Sequence, residues 1–548
     1  MSQENQAHAT QQQQMLRSTL WSTVGNFASR LLGLVYVIPW YMWLGEHAAE
    51  GNSLFAQGYN IYTIFLLIST SGINVAIAKQ VAKYNSNGQP ELVFPMVRQT
   101  IIIMTIFGGI LGTGMYLMAP LLAKGSGWGN ELVAVVHSLS WALLIFPGMS
   151  VIRGFFQGLN NQKPYALSQV AEQIVRVVWM LLATFIIMKL GSGDYVAAIV
   201  QSTFAAFISM FASWAVLLYY LAQEGLLKEL LIPNKAETSK EIKTGKVLLE
   251  TLKEAIPFII TGSAIQLFQM VDQFTYVNSM SWFTDYSNTD LQVQYAYMSG
   301  NPNKIIMILV AVATSIGGVG IPLLTANYVK KDHKASAQLV LNNLTMLLLV
   351  ILPAIMGGVL LSRPLYTVFY GMPDNLALGL FIVSLIQTIF LALYAVSSPM
   401  IQALSQNRNA IRYFLYGMVL KLVIQVPLIF LFHAYGPLLA TALGLALPIY
   451  LMLRNVHVVT HFNRQTLMKR SLLIVILTVV MAVVVLLVEW VLGMVYPVSD
   501  RVSSVVHLVF SGVIGASVYG LLATWTRLID HVIGATKAEQ LRRKLHLG

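Results

Sequence analysis

Long apolar runs follow one another along the whole of this 548-residue chain. Each run is roughly 18 to 25 residues long, and short polar stretches separate the runs. At 1.5 Å per residue, a helix of that length crosses the hydrocarbon core of a bilayer, which is about 30 Å thick. Charged residues make up only 10% of the chain, whereas a soluble domain carries about 25%. The sequence therefore predicts an all-α polytopic membrane protein.

Fourteen such runs can be placed, and we number them as spans 1 to 14 in chain order. They are predicted at 16–44, 53–79, 99–123, 133–156, 165–189, 195–221, 254–281, 303–328, 337–361, 376–402, 411–433, 437–455, 471–495 and 503–526. Residues 1–14 are predicted to be a disordered cytoplasmic tail without a cleavable signal, so span 1 would itself direct insertion. Residues 528–548 are predicted to be a basic cytoplasmic tail.

The basic residues are distributed unevenly between the two sides of the predicted membrane. With both termini in the cytoplasm, 26 of the 34 Lys and Arg fall on the inner side, five on the outer side and three at membrane depth. Because Lys and Arg favour cytoplasmic loops, this asymmetry predicts that both termini are inside. The net charge of +12 therefore indicates membrane topology rather than nucleic acid binding.

The longest polar connection, at 223–252, divides the first twelve spans into two sets of six. We expect it to be an amphipathic cytoplasmic linker. It separates a predicted N-lobe at 15–222 from a predicted C-lobe at 253–456, and spans 13 and 14 follow at 457–527.

The two predicted lobes share an internal repeat at a nearly constant offset. With an offset of 244, Thr70 aligns with Thr314, and with an offset of 245, Arg176 aligns with Lys421. Because six is an even number of crossings, both repeats enter the membrane from the same side. The sequence therefore predicts two parallel six-helix lobes around a central cavity, followed by two extra C-terminal helices.

Five charged residues lie deep inside the first twelve predicted spans: Arg30, Glu172, Arg176, Asp272 and Lys421. Each costs about 2.5 to 3.5 kcal/mol to insert, so each should face protein or water. Arg30 would bind an anion in the cavity, or would pair with a buried carboxylate or with backbone carbonyls, and Lys421 is a candidate cavity base. Asp272 would bind a coupling cation or proton, or would pair with Lys421.

Glu172 and Arg176 are four residues apart on one face of span 5, so they can pair with each other. Either the pair neutralises itself and helps the bundle to pack, or Gln169, Glu172 and Arg176 form a polar stripe that faces the cavity. In the second case Arg176 would hold a phosphate, and Glu172 would titrate or orient it. Lys79 and Arg153 lie at inner span ends, where they mark topology or line the cytoplasmic mouth of the cavity.

Motifs of enzymes and metal sites are missing from the sequence. It has no cysteine, no His-Glu-x-x-His, no Walker A motif and no Gly-x-Ser-x-Gly elbow. We therefore expect a transporter rather than an enzyme, without metal or cofactor, driven by the membrane potential, a cation gradient or substrate supply. Outside the repeat, Glu489 and His507 are expected to connect spans 13 and 14 or to lie near the membrane interface.

The segment that joins spans 4 and 5 carries the most specific pattern in the chain. It reads Arg153-Gly-x-x-Gln-Gly158, followed by Pro164-x-Ala-x-Ser-Gln169-x-x-Glu172-Gln173-x-x-Arg176. This pattern resembles the polysaccharide-transporter branch of the MOP flippase superfamily. Within that branch it is similar to the Gram-positive lipid II flippases of the YtgP and SpoVB type, which are related to MurJ. Supporting similarity lies in Ser29-Arg30-Leu31-Leu32-Gly33 of span 1.

The resemblance implies an inverted V of two six-helix lobes that works by alternating access in the plasma membrane of a bacterium. It also implies a cavity that binds the pyrophosphate of an undecaprenyl-linked sugar, with Gln157 among the candidate substrate-binding residues. Spans 13 and 14 would form a groove for the lipid tail. The chain departs from the MurJ branch at Tyr36 and Val37, where an Arg-Asp pair is usual, and Asn74 replaces a usual proline.

The first hypothesis is therefore a flippase for the peptidoglycan precursor lipid II, whose diphosphate would be bound by Arg30, Arg176 and Lys421. Alternatives are a flippase for another undecaprenyl-linked polysaccharide, such as a teichoic, capsular or exopolysaccharide unit, and a multidrug exporter. A third hypothesis is a non-transporting scaffold for envelope synthesis. The expected partners are the lipid-linked substrate, membrane lipids and, transiently, cell-wall synthesis proteins. Nucleic acid is not expected, and the protein is expected to be a monomer.

Overall fold

The computed structural model of the protein describes residues 32–70, 72–231, 256, 259–530 and 535–544. All regular secondary structure in these ranges is helical. The α-helices, numbered in chain order, are α1 (Val37–Leu44), α2 (Ala48–Thr70), α3 (Ile73–Ser86), α4 (Val93–Gly125), α5 (Asn130–Gly158), α6 (Gln162–Phe185), α7 (Tyr195–Gln223), α8 (Leu226–Leu231), α9 (Ala264–Phe283), α10 (Asn288–Tyr295), α11 (Asn301–Val329), α12 (His333–Leu360), α13 (Ser362–Tyr370), α14 (Asn375–Ala403), α15 (Asn407–Phe432), α16 (Gly436–Thr460), α17 (Arg464–Val495), α18 (Arg501–Trp525) and α19 (Ala535–Lys544). Short π-helical segments lie at Ile186–Leu190, after α6, and at Ala296–Gly300, before α11.

Eleven stretches of the described chain are long and apolar enough to cross a membrane. One of them, Asn407–Thr460, holds both α15 and α16, which separate at His433, where φ is 49°. Another, Leu32–Ser86, covers the described end of span 1 and all of span 2. Together with α9, which underlies span 7, these stretches place a helix at every predicted span from 2 to 14. The prediction of an all-helical polytopic membrane protein is confirmed.

Span 2 is not the continuous helix that its apolar run predicted. α2 ends at Thr70 and α3 begins at Ile73, and between them Gly72 has a φ of 80°. Glycine adopts this left-handed conformation without the steric cost that a Cβ imposes. Just after the break, Asn74 accepts a hydrogen bond from the Ser150 hydroxyl of α5 at 2.5 Å. Hydropathy averaged over a window does not report the break, because the apolar stretches at 64–68 and 75–78 outweigh the polar residues next to it.

α3 packs closely against α5 through the two glycines of the motif between spans 4 and 5. A Cβ on Gly154 would lie 2.6 Å from the backbone oxygen of Asn74, and one on Gly158 would lie 2.6 Å from Cβ of Val81. Both distances are well below van der Waals contact, so the approach needs glycine. Arg153 is one residue earlier on the helix and therefore points to another side, where it meets α6 and α7.

The helix at span 8 is joined by two shorter helices that the sequence analysis did not predict. α10 and a π-helical segment lead into α11, whose first residue, Asn301, donates from its side chain to the Tyr366 hydroxyl at 2.6 Å. The Tyr370 hydroxyl donates to the backbone oxygen of Asn301 at 2.6 Å. Both tyrosines belong to the short helix α13. α10 and α13 escaped prediction because each is too short to register as a membrane span.

The chain divides into two compact units, Met1–Met270 and Val271–Gly548. Of the predicted linker at 223–252, the structure describes the part up to residue 231, which includes α8. Arg98 of α4 donates to the backbone oxygens of Glu229 and Leu230, each at 2.8 Å, and so attaches α8 to the first unit. The exact lobe boundaries stay predictions.

Spans 13 and 14 form a hairpin within the second unit. α17 packs against α12 and α18 around a core made of Leu349, Ile474, Leu477, Ala523 and Leu528. His507 Nδ1 lies 2.9 Å from the Glu489 carboxylate, and His507 Nε2 lies 2.7 Å from the backbone oxygen of Tyr496. The Ser511 hydroxyl donates to the same carboxylate. The expected contact between Glu489 and His507 is therefore present.

Candidate functional site

Three charged residues meet inside the first unit, where α5 and α6 face each other. Arg153 Nη2 donates to Oε2 of Glu172 at 2.8 Å, and Arg176 Nη2 donates to Oε1 of the same carboxylate at 2.5 Å. Glu172 is therefore held between two guanidinium groups. We call Arg153, Glu172 and Arg176 the arginine–glutamate cluster.

Helix periodicity aligns the α6 members of the arginine–glutamate cluster. Asn161 caps the start of α6, where its side chain accepts a backbone N–H at 3.3 Å. Ser168, Glu172 and Arg176 then follow at four-residue steps, which places them along one face of the helix. Ser168 and Glu172 on that face both contact Arg153 of α5. The cluster therefore combines a local pattern on α6 with one long-range partner.

Arg153 is tightly enclosed, and only 3% of the residue is exposed. Its Nε donates to the Ser168 hydroxyl at 3.1 Å, and its Nη2 also donates to the Ser213 hydroxyl of α7 at 2.8 Å. The guanidinium lies 5.8 Å from the ring centre of Phe146 and 6.0 Å from that of Tyr165. The sequence predicted that Arg153 marks topology at an inner span end or lines the cytoplasmic mouth of the cavity. In the structure α6 and α7 cover Arg153, and it is a buried partner of Glu172.

Arg176 is less enclosed, and its side chain is 22% exposed. Its Nε is nevertheless buried and has no hydrogen-bond partner among the described residues. The Tyr59 hydroxyl of α2 is likewise buried without a partner in that part of the chain. Tyr59 lies within electrostatic range of Arg176, as do Tyr36 and Tyr62. An N–H donor of Arg176 and an O–H donor of Tyr59 are therefore available to an acceptor.

The arginine–glutamate cluster carries excess positive charge inside membrane-spanning helices. Two guanidinium groups, which stay protonated in proteins, share one carboxylate. A buried charge without a counter-ion is costly in a membrane. An anionic ligand would supply the missing negative charge, and the planar fork of a guanidinium matches the oxygens of a phosphate. The chemistry that this arrangement favours is anion binding.

A second buried ion pair lies in the second unit. Lys421 Nζ of α15 donates to Asp272 Oδ1 of α9 at 2.8 Å and to the Thr441 hydroxyl of α16 at 2.5 Å. The Gln425 amide donates to the same carboxylate oxygen at 2.9 Å. Lys421 is 0% exposed, and the pair is neutral as a whole. Of the alternatives for Asp272, the structure therefore contains the pair with Lys421.

The remaining predicted site residues are dispersed. Gln169 donates from Nε2 to the Tyr165 hydroxyl at 3.0 Å, and its Oε1 is buried without a partner among the described residues. Gln157 is partly buried in α5, whereas Lys79 is exposed on α3. Arg30 lies outside the described residues. Within the described ranges, no group of three His, Asp or Glu residues is arranged to hold a metal ion.

Several polar residues of the two charged sites were not singled out from the sequence: Tyr59, Ser168, Ser213, Gln425 and Thr441. Ser168 had a usable signal, because it precedes Glu172 by one helical turn. Tyr59 belongs to α2, whose buried polar side chains are unusual for a membrane span and include Asn52, Ser53, Gln57 and Asn60. Gln425 and Thr441 lie on different helices from Asp272, and Ser213 lies on a different helix from Arg153, so no local pattern indicated these three residues.

Comparison of the sequence with known proteins gives one family and several relatives. The family model described as polysaccharide biosynthesis protein matches residues 15–328. Lipid II flippase MurJ of Bacillus subtilis (strain 168) is 33% identical over 552 residues, which cover 97% of this chain and 99% of that protein. Stage V sporulation protein B of the same organism is 26% identical over 271 residues, which cover 50% of this chain and 48% of that protein.

Comparison with solved structures supports the fold. A structure of lipid II flippase MurJ in an inward closed conformation has a TM-score of 0.64 at 16% identity, covering 93% of this chain and 100% of that one. A MOP superfamily transporter from Pyrococcus furiosus has a TM-score of 0.57 at 15% identity, covering 80% of this chain and 95% of that one. The helices of this chain are thus arranged as in MOP superfamily transporters.

Proposed function

Because the chain belongs to the polysaccharide biosynthesis protein family, we propose that it is a lipid II flippase. It moves the undecaprenyl-pyrophosphate-linked peptidoglycan precursor from the inner to the outer leaflet of a bacterial plasma membrane by alternating access. The proposal is supported by the relative from Bacillus subtilis, a lipid II flippase that aligns over nearly the whole chain.

The observation that carries the proposal is the excess positive charge of the arginine–glutamate cluster, in which Arg153 and Arg176 share one carboxylate. A pyrophosphate offers several anionic oxygens, and the arginine–glutamate cluster lacks one negative charge. The buried Nε of Arg176 and the buried hydroxyl of Tyr59 are both donors without a partner among the described residues. Both can donate to phosphate oxygens, and charge-assisted hydrogen bonds of this kind are strong in a low-dielectric site.

The other predicted residues and segments take the following roles in this proposal. Lys421 is neutralised by Asp272, so Arg176 is the base that meets the head group in this conformation, with Arg30 of span 1 as the second candidate. Residues 15–222 and 253–456 serve as the two lobes that alternate, and α17 with α18 provides the groove for the lipid tail. Both termini lie in the cytoplasm, and the membrane potential or a cation gradient drives the cycle.

The proposal is tested by depleting the flippase of a Gram-positive host and measuring how much lipid II becomes accessible at the outer face. We expect the wild-type gene to restore export, and Arg176→Gln and Arg30→Ala to restore little or none of it at equal expression. Arg454→Gln is the matched control, because Arg454 is exposed on α16 in the second unit. Full rescue by both variants would contradict the anion-site mechanism.

The same experiment separates the alternatives. A flippase for another undecaprenyl-linked polysaccharide would also need Arg176, because its substrate carries the same pyrophosphate, but depletion would then leave lipid II export unchanged. A multidrug exporter for cations is disfavoured by the positive charge of the arginine–glutamate cluster. A non-transporting scaffold would tolerate Arg176→Gln altogether.

A further inference from the structure

The two arginines that hold Glu172 are bound in very different ways. Arg153 has three hydrogen bonds, to Ser168, Glu172 and Ser213, and is nearly fully buried. Arg176 has its hydrogen bond to Glu172, a partly exposed side chain and a buried Nε without a partner among the described residues. The first arginine is fixed to its surroundings, whereas the second can change its partner.

We propose that Arg153 is a positioning residue that acts through Glu172. It retains the carboxylate in the wall of the site while Arg176 exchanges Glu172 for the phosphate of the substrate. The inference rests on the proposed function in one respect, namely that a phosphate binds at Arg176.

The exchange depends on Arg153 because Glu172 loses its contact with Arg176 when Arg176 binds the phosphate. If Glu172 had Arg176 as its sole partner, transfer of Arg176 to a phosphate would strand a buried carboxylate without a counter-ion, which is strongly unfavourable. Arg153 keeps that carboxylate paired through Oε2 at 2.8 Å. Glu172 therefore keeps a positively charged partner throughout the exchange.

The retained carboxylate also provides a route to release. A transporter must bind its substrate on one side of the membrane and let it go on the other, so its affinity has to stay moderate. Glu172 stays next to Arg176 as a resident competitor for the guanidinium. When Arg176 returns to Glu172, the phosphate loses its main partner and can leave.

Ser168 and Ser213 hold Arg153 in the position that this role requires. The Ser168 hydroxyl donates to the backbone oxygen of Tyr165 at 2.8 Å, and its oxygen accepts from Arg153 Nε. Ser213 accepts from the same Nη2 atom that binds Glu172. These bonds tie Arg153 to α6 and α7, so Arg153 does not follow the substrate.

The test measures the affinity of lipid II for the full-length protein in lipid nanodiscs, together with the flipping rate in proteoliposomes. Arg153→Gln frees Glu172 to bind Arg176 with both oxygens, so affinity should fall by about tenfold, the size of one charge-assisted hydrogen bond. Glu172→Gln removes the competitor, so affinity should rise while the flipping rate falls. The double variant should bind as Glu172→Gln does, because Arg153 then has no carboxylate to hold.

This pattern of opposite signs distinguishes positioning from simple structural support. If the double variant binds as weakly as Arg153→Gln alone, Arg153 does not act through Glu172 and the inference is wrong. If Arg153→Gln does not fold, Ser213→Ala weakens the same anchor more gently, and its pairing with Glu172→Gln gives the same comparison. Arg153→Lys, which retains the charge, should recover part of the affinity.

A separate variant keeps this inference distinct from the proposed function. Arg176→Gln should abolish high-affinity binding of lipid II. If Arg176→Gln binds lipid II like the wild type, Arg176 is not part of the binding site. Both the proposed site and the proposed exchange are then wrong. If Arg176→Gln loses binding but Arg153→Gln has no effect on affinity, the site stands and only the role of Arg153 is overturned.

Discussion

Lys421 Nζ lies 2.8 Å from Asp272 Oδ1, although 149 positions separate the two residues in the chain. The lysine is fully buried, and the carboxylate also accepts from Gln425 and Thr441. The predicted repeat aligns Lys421 with Arg176. Arg176 keeps a partly exposed side chain and shares Glu172 with Arg153. The two positions that the predicted repeat aligns are therefore used differently. Lys421 belongs to a neutral internal pair, and Arg176 belongs to a cluster with excess positive charge.

Lys421→Met should destabilise the protein, because it leaves the Asp272 carboxylate buried without a counter-ion. Breaking one side of such a pair costs about 3 to 5 kcal/mol. The double variant Lys421→Met with Asp272→Asn should recover most of this loss. Thermal unfolding in detergent, with the exposed Lys330→Met as control, checks the prediction. Equal Tm values for the single and double variants would contradict it.

Tyr59→Phe should weaken lipid II binding without weakening the fold. The hydroxyl is buried and has no hydrogen-bond partner among the described residues, so its removal costs no internal bond. Loss of one neutral donor to the phosphate should lower affinity roughly three- to tenfold. Binding in nanodiscs and thermal unfolding are measured on the same samples, with the exposed Tyr450→Phe as control. Unchanged affinity would remove Tyr59 from the site.

Gly154→Ala should separate α3 from α5. The new Cβ would lie 2.6 Å from the backbone oxygen of Asn74, and overpacking of this kind costs about 1 to 3 kcal/mol. Gly114→Ala is the matched control, because nothing lies within 4 Å of its Cβ and alanine is the better helix former. We expect Tm to fall in the first variant and to stay or rise in the second. The same Tm change in both would show that the close approach is unimportant.

His507→Ala and Glu489→Ala should have coupled effects on stability. Both nitrogen atoms of His507 lie next to acceptors, namely the Glu489 carboxylate and the backbone oxygen of Tyr496. Residues in such direct contact show interaction energies of about 0.5 to 3 kcal/mol in double-mutant cycles. A cycle measured by thermal unfolding should therefore be non-additive. Additive Tm changes would mean that the pair does not hold α17 and α18 together.

The amino-acid sequence alone determined that the protein is a helical membrane protein and where its spans lie. Membrane thickness sets the length of an apolar run, so hydropathy reports a span directly. Helix periodicity likewise sufficed to pair Glu172 with Arg176, because residues four apart lie on one face. The similarity of the motif between spans 4 and 5 to a flippase family was also visible in the residues themselves.

Tertiary structure decided which charges share a partner. Arg153 reaches Glu172 from another helix, 19 positions away, and Lys421 reaches Asp272 across 149 positions. Such pairs depend on how each helix is rotated and how closely its neighbours approach, as at Gly154. Hydropathy and periodicity describe one helix at a time, and they contain no information about these relations between helices. The excess positive charge of the arginine–glutamate cluster therefore became visible only when the helices were packed.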